Sequence, residues 1–221
     1  MSRKRKIVLA ITGASGAVYA VRLLEVLLAT GHDVHLTISE SGQVVLKHEL
    51  GVTVDLDHFE VSSLVVPAGT VGLSDDRCEK LSGSDALGTI TYHHYRDFFA
   101  PIASGSALTD GMVICPCSGS TLGAIVHSTG NNLIHRAADV HLKESRKLVL
   151  VPRETPLSAV QLENMRRAAE AGAVVLPAMP GYYHGVRTVS DLVDFVVARI
   201  CDQLKIEHAL MRRWGGDSGE E

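Results

Sequence analysis

The chain lacks any apolar run long enough to cross a bilayer, has no surplus of basic residues and contains few cysteines. Each absence removes a class of function. A spanning helix needs about 20 consecutive apolar residues, and the longest apolar stretches here are far shorter, so no membrane anchor is expected. With 21 Lys and Arg against 25 Asp and Glu, the net charge of -4 gives no general attraction for nucleic acid. Four cysteines in 221 residues (Cys78, Cys115, Cys117, Cys201) are too sparse for a disulfide-stapled secreted scaffold. The basic start, Ser2-Arg3-Lys4-Arg5-Lys6, leads straight into a strand-like run without the apolar core and cleavage site of a signal peptide. A cytoplasmic protein with reduced thiols is expected. There is no internal repeat, and low complexity is confined to the polar tail Gly215 to Glu221.

What is present is enough apolar material, 46% of residues, to bury one good core. A single domain over 1–221 is expected, with an obscure, loop-rich segment at 51–100 and a C-terminal tail at 205–221. Short, often β-branched runs at Ile7 to Ile11, Val34 to Ile38, Met112 to Cys115, Leu148 to Val151 and Ala173 to Leu176 read as buried parallel strands. Helical patterns at Val18 to Ala29, Leu133 to Lys143, Leu157 to Ala171 and Val189 to Leu204 separate them. This alternation predicts an α/β fold: a doubly wound, mostly parallel sheet in a Rossmann-like or flavodoxin-like three-layer sandwich. The segment Gly51 to Ala100 holds one alternating run, Thr89 to Tyr92, and is expected to supply a strand and a long surface loop.

In such a sheet, ligands lie beyond the carboxyl ends of the strands. The residues there are consistent with one another: Gly13, Ala14 and Ser15 after the first strand, Ser39 after the second, Ser118, Gly119, Ser120 and Thr121 after Cys117, and Arg153 and Glu154 after the Leu148 run. Thr12-Gly13-Ala14-Ser15-Gly16-Ala17 opens a helix and reads as a phosphate grip, where backbone N–H groups and the positive helix end favour an anion. It is not the G-x-G-x-x-G of dinucleotide enzymes, because its second glycine comes three residues after the first. A dinucleotide site also wants a carboxylate after the second strand. Ser39 stands there with Glu40 beside it, so a mononucleotide such as FMN fits better than NAD.

Seven motifs in order carry a family resemblance. They are Thr12 to Ala17, Pro101-Ile102-Ala103-Ser104-Gly105-Ser106, Cys115-Pro116-Cys117-Ser118, Asn131-Asn132-Leu133 with Arg136-Ala137-Ala138-Asp139, Val151-Pro152-Arg153-Glu154-Thr155-Pro156, Leu162-Glu163-Asn164-Met165 and Gly181-Tyr182-Tyr183-His184. Together they resemble the UbiX-type flavin prenyltransferases from Lys6 to about Trp214, with Gly51 to Ala100 longer and divergent. The resemblance implies an enzyme that joins a dimethylallyl group, from dimethylallyl monophosphate, to N5 and C6 of reduced FMN. No metal is required, and the prenylated FMN serves UbiD-type decarboxylases. It also implies a homo-oligomer, typically a dodecamer, with sites at subunit junctions. No Asp-rich D-D-x-x-D run for magnesium and pyrophosphate is present; Asp75-Asp76 reads as a solvated loop pair.

The resemblance further implies residue roles. Gly13, Ala14, Ser15, Ser39, Ser104, Ser118, Gly119, Ser120, Thr121 and Arg153 would hold FMN, and Arg136, Lys143, Tyr183 and Arg199 the allylic phosphate. Glu49, Lys143, Glu154 and Trp214 would serve catalysis, the two carboxylates by handling protons and the indole by stabilising an allylic cation. From spacing alone, Arg136 and Lys143 share a helix face that reads as an ordinary solvated one. Cys115-x-Cys117 has half of a metal site's spacing but no partner pair, so buried thiols are expected, and His93-His94 reads as loop. An FMN-dependent cysteine-type decarboxylase and a non-catalytic flavin carrier remain as alternatives.

Overall fold

The computed structural model describes residues 3–64, 66, 70, 72–73 and 88–211. Its strands are β1 (Lys6–Ile11), β2 (Asp33–Ile38), β3 (Thr89–Tyr92), β4 (Gly111–Cys117), β5 (Leu148–Pro152) and β6 (Val174–Val175). They pair in parallel, in the order β3-β2-β1-β4-β5-β6. The helices are α1 (Ala17–Ala29), α2 (Glu40–Leu50), α3 (Gly119–Val126), α4 (Leu133–Lys143), α5 (Ala159–Glu170) and α6 (Val189–Leu204).

Strand periodicity decides which side chains meet which layer. Ile7, Leu9 and Ile11 of β1 and Leu36 and Ile38 of β2 pack with Leu23, Leu24 and Leu27 of α1 and Val193 and Val197 of α6. Val8, Ala10, Met112 and Ile114 point the other way, into a core shared with Leu122 of α3, Leu133 and Ala137 of α4 and Ala168 of α5. The two cores make a three-layer sandwich. Buried on both faces, β1, β4 and β5 carry the near-continuous apolar runs that parallel strands require.

Beyond shifts of one or two residues at other ends, the structure departs from the sequence expectation in several places. The Ala173 to Leu176 run is paired only at Val174–Val175. α5 starts at Ala159 because Ser158 and Gln161 form a reciprocal capping box that excludes Leu157. The 51–100 segment does supply β3, yet it is not merely surface loop: Val52, Val54, Leu56, Leu64, Val66 and Leu73 are buried in the same core as α1 and α6.

Burial also sets an acid limit on stability. His32, His35, His93, His135 and His141 are all held below the ordinary imidazole value, first by desolvation. The His35 and His93 rings are nearly parallel and share an N···N hydrogen bond of 2.9 Å. Below the unperturbed value of 6.5 the unfolded chain therefore binds more protons than the native one, and stability falls as pH drops through that range. Thermal unfolding between pH 7.5 and 5.5 is expected to show a falling Tm, with a smaller fall in His93→Gln. An unchanged slope in that variant would remove the pair from the effect.

Candidate functional site

The strand order reverses between β1 and β4, where the chain winds outward to β2 and β3, then returns to continue through β5 and β6. The β1–β4 register runs from Ile7↔Gly111 to Ala10↔Ile114. Just beyond it lies the carboxyl edge of the sheet at the switch in strand order, the place where a ligand crevice is expected in a doubly wound sheet.

Thr12 joins the two sides. Its hydroxyl donates to the Pro116 carbonyl at 2.7 Å and accepts from the Ser118 N–H at 2.9 Å, while its own N–H reaches Pro116 O at 3.3 Å. Gly13 follows, and a Cβ there would fall 2.5 Å from the Ser41 side chain, so glycine lets the β1 loop lie against the start of α2. Gly16 takes φ 112, a left-handed turn into α1 that favours glycine.

Two serines cap the next helices. Ser39 Oγ accepts from Gly42 N–H at 3.0 Å, and Ser118 Oγ accepts from Thr121 N–H at 3.2 Å. Ser39 Oγ lies 3.1 Å from Ser41 Oγ, while Ser118 Oγ donates to Thr121 Oγ1 at 2.9 Å and lies 3.1 Å from Ser120 Oγ. From β5, Arg153 Nε donates to the Ser15 carbonyl at 3.3 Å, so its guanidinium reaches across to the β1 loop. Exposed Glu154 follows, accepting from Gln161 Nε2 at 3.1 Å.

The helix end expected to grip phosphate is already engaged. Glu49, near the end of α2, accepts from Gly16 N–H at 2.9 Å and Ala17 N–H at 2.8 Å, so its carboxylate caps the positive end of α1. The residue expected to handle protons thus also holds the helix. Glu49→Ala is expected to cost about 1–2 kcal/mol of stability, read by chemical denaturation, with Glu49→Gln losing less. Glu40, the residue a dinucleotide ribose would need, accepts from Tyr95 and, at 2.7 Å, from Arg96. That engagement further weakens the NAD reading.

The remaining predicted residues fall into two groups. Beyond β6, Tyr183 meets Phe195 edge-on at 5.7 Å, and Phe195 and Arg199, one turn apart on α6, line a cavity of about 290 Å³ with Met179. Arg199 also pairs with Asp202 at 2.7 Å. The other group lies along α4. Arg136 donates to Ala103 O at 3.0 Å and pairs with Asp139 at 2.9 Å; Lys143 pairs with Glu144 at 2.6 Å, and a Cβ on Gly105 would meet both of those last side chains. Ser104 sits in that loop, 2.9 Å from Ser106. The loop leads to Asp110, which bonds Lys6 at the start of β1. Lys143 and Ser104 therefore stand at the amino edge of the sheet, roughly 20 Å of strand away from Ser15, Ser118 and Glu154. Trp214 and Asp75-Asp76 lie outside the described residues.

The Flavoprotein family matches residues 1–201. The flavin prenyltransferase UbiX of Pseudomonas aeruginosa is 46% identical over 215 residues, 97% of this chain and 96% of that protein. The chain belongs to the UbiX family of flavin prenyltransferases. It is thus a transferase that prenylates a flavin. Among solved structures, AnUbiX in complex with FMN and dimethylallyl pyrophosphate is 35% identical, covering 98% of this chain and 100% of its own, with a TM-score of 0.77. A dodecameric FMN-dependent UbiX-like decarboxylase from Escherichia coli O157:H7 is 38% identical with a TM-score of 0.75, covering 96% of this chain and 100% of its own.

The prenyltransferase crevice suits that flavin. It offers hydroxyl donors on three loops, backbone brought close by Gly13, and an arginine spanning β5 and β1. Among the described residues, no cluster of three or more His, Cys, Asp or Glu is placed to hold a metal ion. Cys115 and Cys117 are buried free thiols, and desolvation pushes the Cys117 thiol up to about 12. No described helix is long and apolar enough to cross a membrane. Two site-building residues have no separate role in the sequence reading, although Thr12 opens the glycine-rich motif. Thr12, a hydroxyl at the end of an apolar strand just before a glycine, is a legible signal in retrospect. So is Gln161, the fourth residue of a Ser-x-x-Gln capping box.

Proposed function

We propose that this chain transfers the dimethylallyl group of dimethylallyl monophosphate to N5 and C6 of reduced FMN without a metal ion, in the cytoplasm. Its prenylated FMN would then be consumed by a UbiD-type decarboxylase. The observation that carries the proposal is the convergence, at the carboxyl ends of β1 and β4, of hydroxyls from three loops with Arg153 reaching the Ser15 carbonyl and Glu154 beside it. Reduced FMN, when bound, supplies the nucleophilic ring positions. Gly13, Ala14, Ser15, Ser39, Ser118, Gly119, Ser120, Thr121 and Arg153 hold and orient it by hydrogen bonds to its phosphate, ribityl and ring edge. Glu49 and Glu154 receive protons released on alkylation. Tyr183 and Arg199, flanking Phe195, hold the allylic phosphate.

Arg136, Lys143 and Ser104 belong to this site through a second copy of the chain. In one chain Lys143 and Ser104 stand at the far edge of the sheet, with Arg136 on the same helix, and a heterologous contact between copies would bring one edge against the other. The dodecamer of the Escherichia coli relative supports that assembly. Trp214 would complete the site from the tail.

The test is anaerobic incubation of the purified protein with reduced FMN and dimethylallyl monophosphate, followed by the mass of the extracted flavin. Gain of one five-carbon prenyl unit is expected. Unchanged FMN with the monophosphate but prenylated FMN with the pyrophosphate corrects the donor; unchanged FMN with both leaves the carrier or decarboxylase reading.

A further inference from the structure

Thr12 is 1% exposed, yet its side chain is polar and makes two hydrogen bonds. Both bonds cross from the end of β1 to the end of β4, beyond the last register pair of those strands, Ala10↔Ile114. Past that pair, a single main-chain bond, Thr12 N–H to Pro116 O at 3.3 Å, accompanies the two side-chain bonds. The Ser118 N–H that Thr12 accepts belongs to the residue whose own Oγ caps α3, and the first turn of α3 carries Gly119, Ser120 and Thr121. On the other side, Thr12 leads directly into Gly13, Ala14 and Ser15. The main-chain bond ends at Pro116, so the link that reaches the Ser118 turn itself is the one the buried hydroxyl makes.

We propose that Thr12 is a positioning residue for FMN: it touches no reacting atom, and its hydroxyl fixes the spacing of the Gly13–Ser15 loop and the Ser118–Thr121 turn to the width of the flavin. The inference rests on the reading of this crevice as the FMN site. Valine has nearly the same shape as threonine but neither accepts from Ser118 N–H nor donates to Pro116 O, and a buried amide left without its acceptor pulls toward another arrangement. Serine keeps both bonds and loses only a methyl group.

The experiment measures the FMN dissociation constant by quenching of flavin fluorescence in the wild-type protein, Thr12→Val and Thr12→Ser, with far-UV circular dichroism to establish folding. Thr12→Val is expected to bind FMN roughly tenfold to a hundredfold more weakly. Thr12→Ser should stay within about threefold of wild type, and KM for dimethylallyl monophosphate at saturating FMN should be unchanged in both. A structural role alone would lower the unfolding temperature of Thr12→Val and leave FMN affinity as it was; that result overturns the inference. Equal weakening in the valine and serine variants overturns it too, because the hydroxyl would not be the cause. Should Thr12→Val fail to fold, Thr12→Cys replaces it, with a poor hydrogen-bonding sulfur of similar size, and an unchanged FMN affinity there is equally decisive against. A wild-type protein that binds no FMN removes the proposed function itself.

Discussion

Glu154→Gln is expected to slow FMN prenylation by about two to four orders of magnitude while leaving FMN affinity within a few-fold of wild type. Glutamine keeps the shape of the side chain, and its amide oxygen can still accept from Gln161 Nε2, so the link from the β5 loop to α5 survives. It cannot take up a proton. Two new bonds on the flavin release protons, and an exposed carboxylate at the crevice rim, next to the arginine that spans β5 and β1, is placed to receive one. The comparison with Arg153→Ala makes the prediction specific: that variant should lose FMN affinity first. Single-turnover conversion followed by flavin mass, beside FMN titration, separates the two effects. Normal turnover in Glu154→Gln would strip the residue of its catalytic role.

The second large effect concerns the scaffold. Arg22 of α1 is buried and donates to Asp194 of α6 at 2.6 Å and to Glu25 at 2.9 Å, with side-chain exposures of 10%, 6% and 5% for Arg22, Asp194 and Glu25. Burial acts to lower the guanidinium's proton affinity, but the bonds from Asp194 and Glu25 outweigh it and hold the charge in place. Arg22→Met removes the cation shared by two buried carboxylates, and is expected to destabilise the protein by about 3–5 kcal/mol. Replacing all three residues with apolar side chains of similar volume should recover most of that loss. Chemical denaturation of the single and triple variants tests both statements. A small loss in Arg22→Met would mean that water reaches the carboxylates. The network matters for the site because α1 starts at the Gly16 turn and α6 carries Arg199.

Much of this was legible from residues alone, for a physical reason. β1, β2, β4 and β5 are buried on one or both faces, so their apolar runs stand out, and α6 was bounded correctly because its amphipathic period ends where its burial ends. α3 was not read as a helix: it is eight residues long and opens with Gly-Ser-Thr, a sequence that also suits a loop. The 51–66 stretch hid its buried valines and leucines among polar residues, in a segment with little regular structure to impose a period. At the site, the order of loops follows from the strand ends, which bring Ser15, Ser39, Ser118 and Arg153 to one edge of the sheet. What one chain's sequence does not carry is distance. Glu49's grip on α1, the capture of Glu40 by Tyr95 and Arg96, and Thr12's bonds to Pro116 and Ser118 all join residues far apart in the chain.

Lys143 and Glu154 stand at opposite edges of the same sheet, so two dead variants are expected to rescue one another. Lys143→Ala and Glu154→Gln proteins, each inactive alone, would be unfolded together and refolded as a mixture. If every site takes its lysine from one copy and its glutamate from another, about a quarter of the sites in an equal random mixture have both residues intact. Activity recovered from two inactive stocks would show that catalysis in this protein belongs to the assembly, and that a harmful substitution in one copy can be masked by a different one in its neighbour.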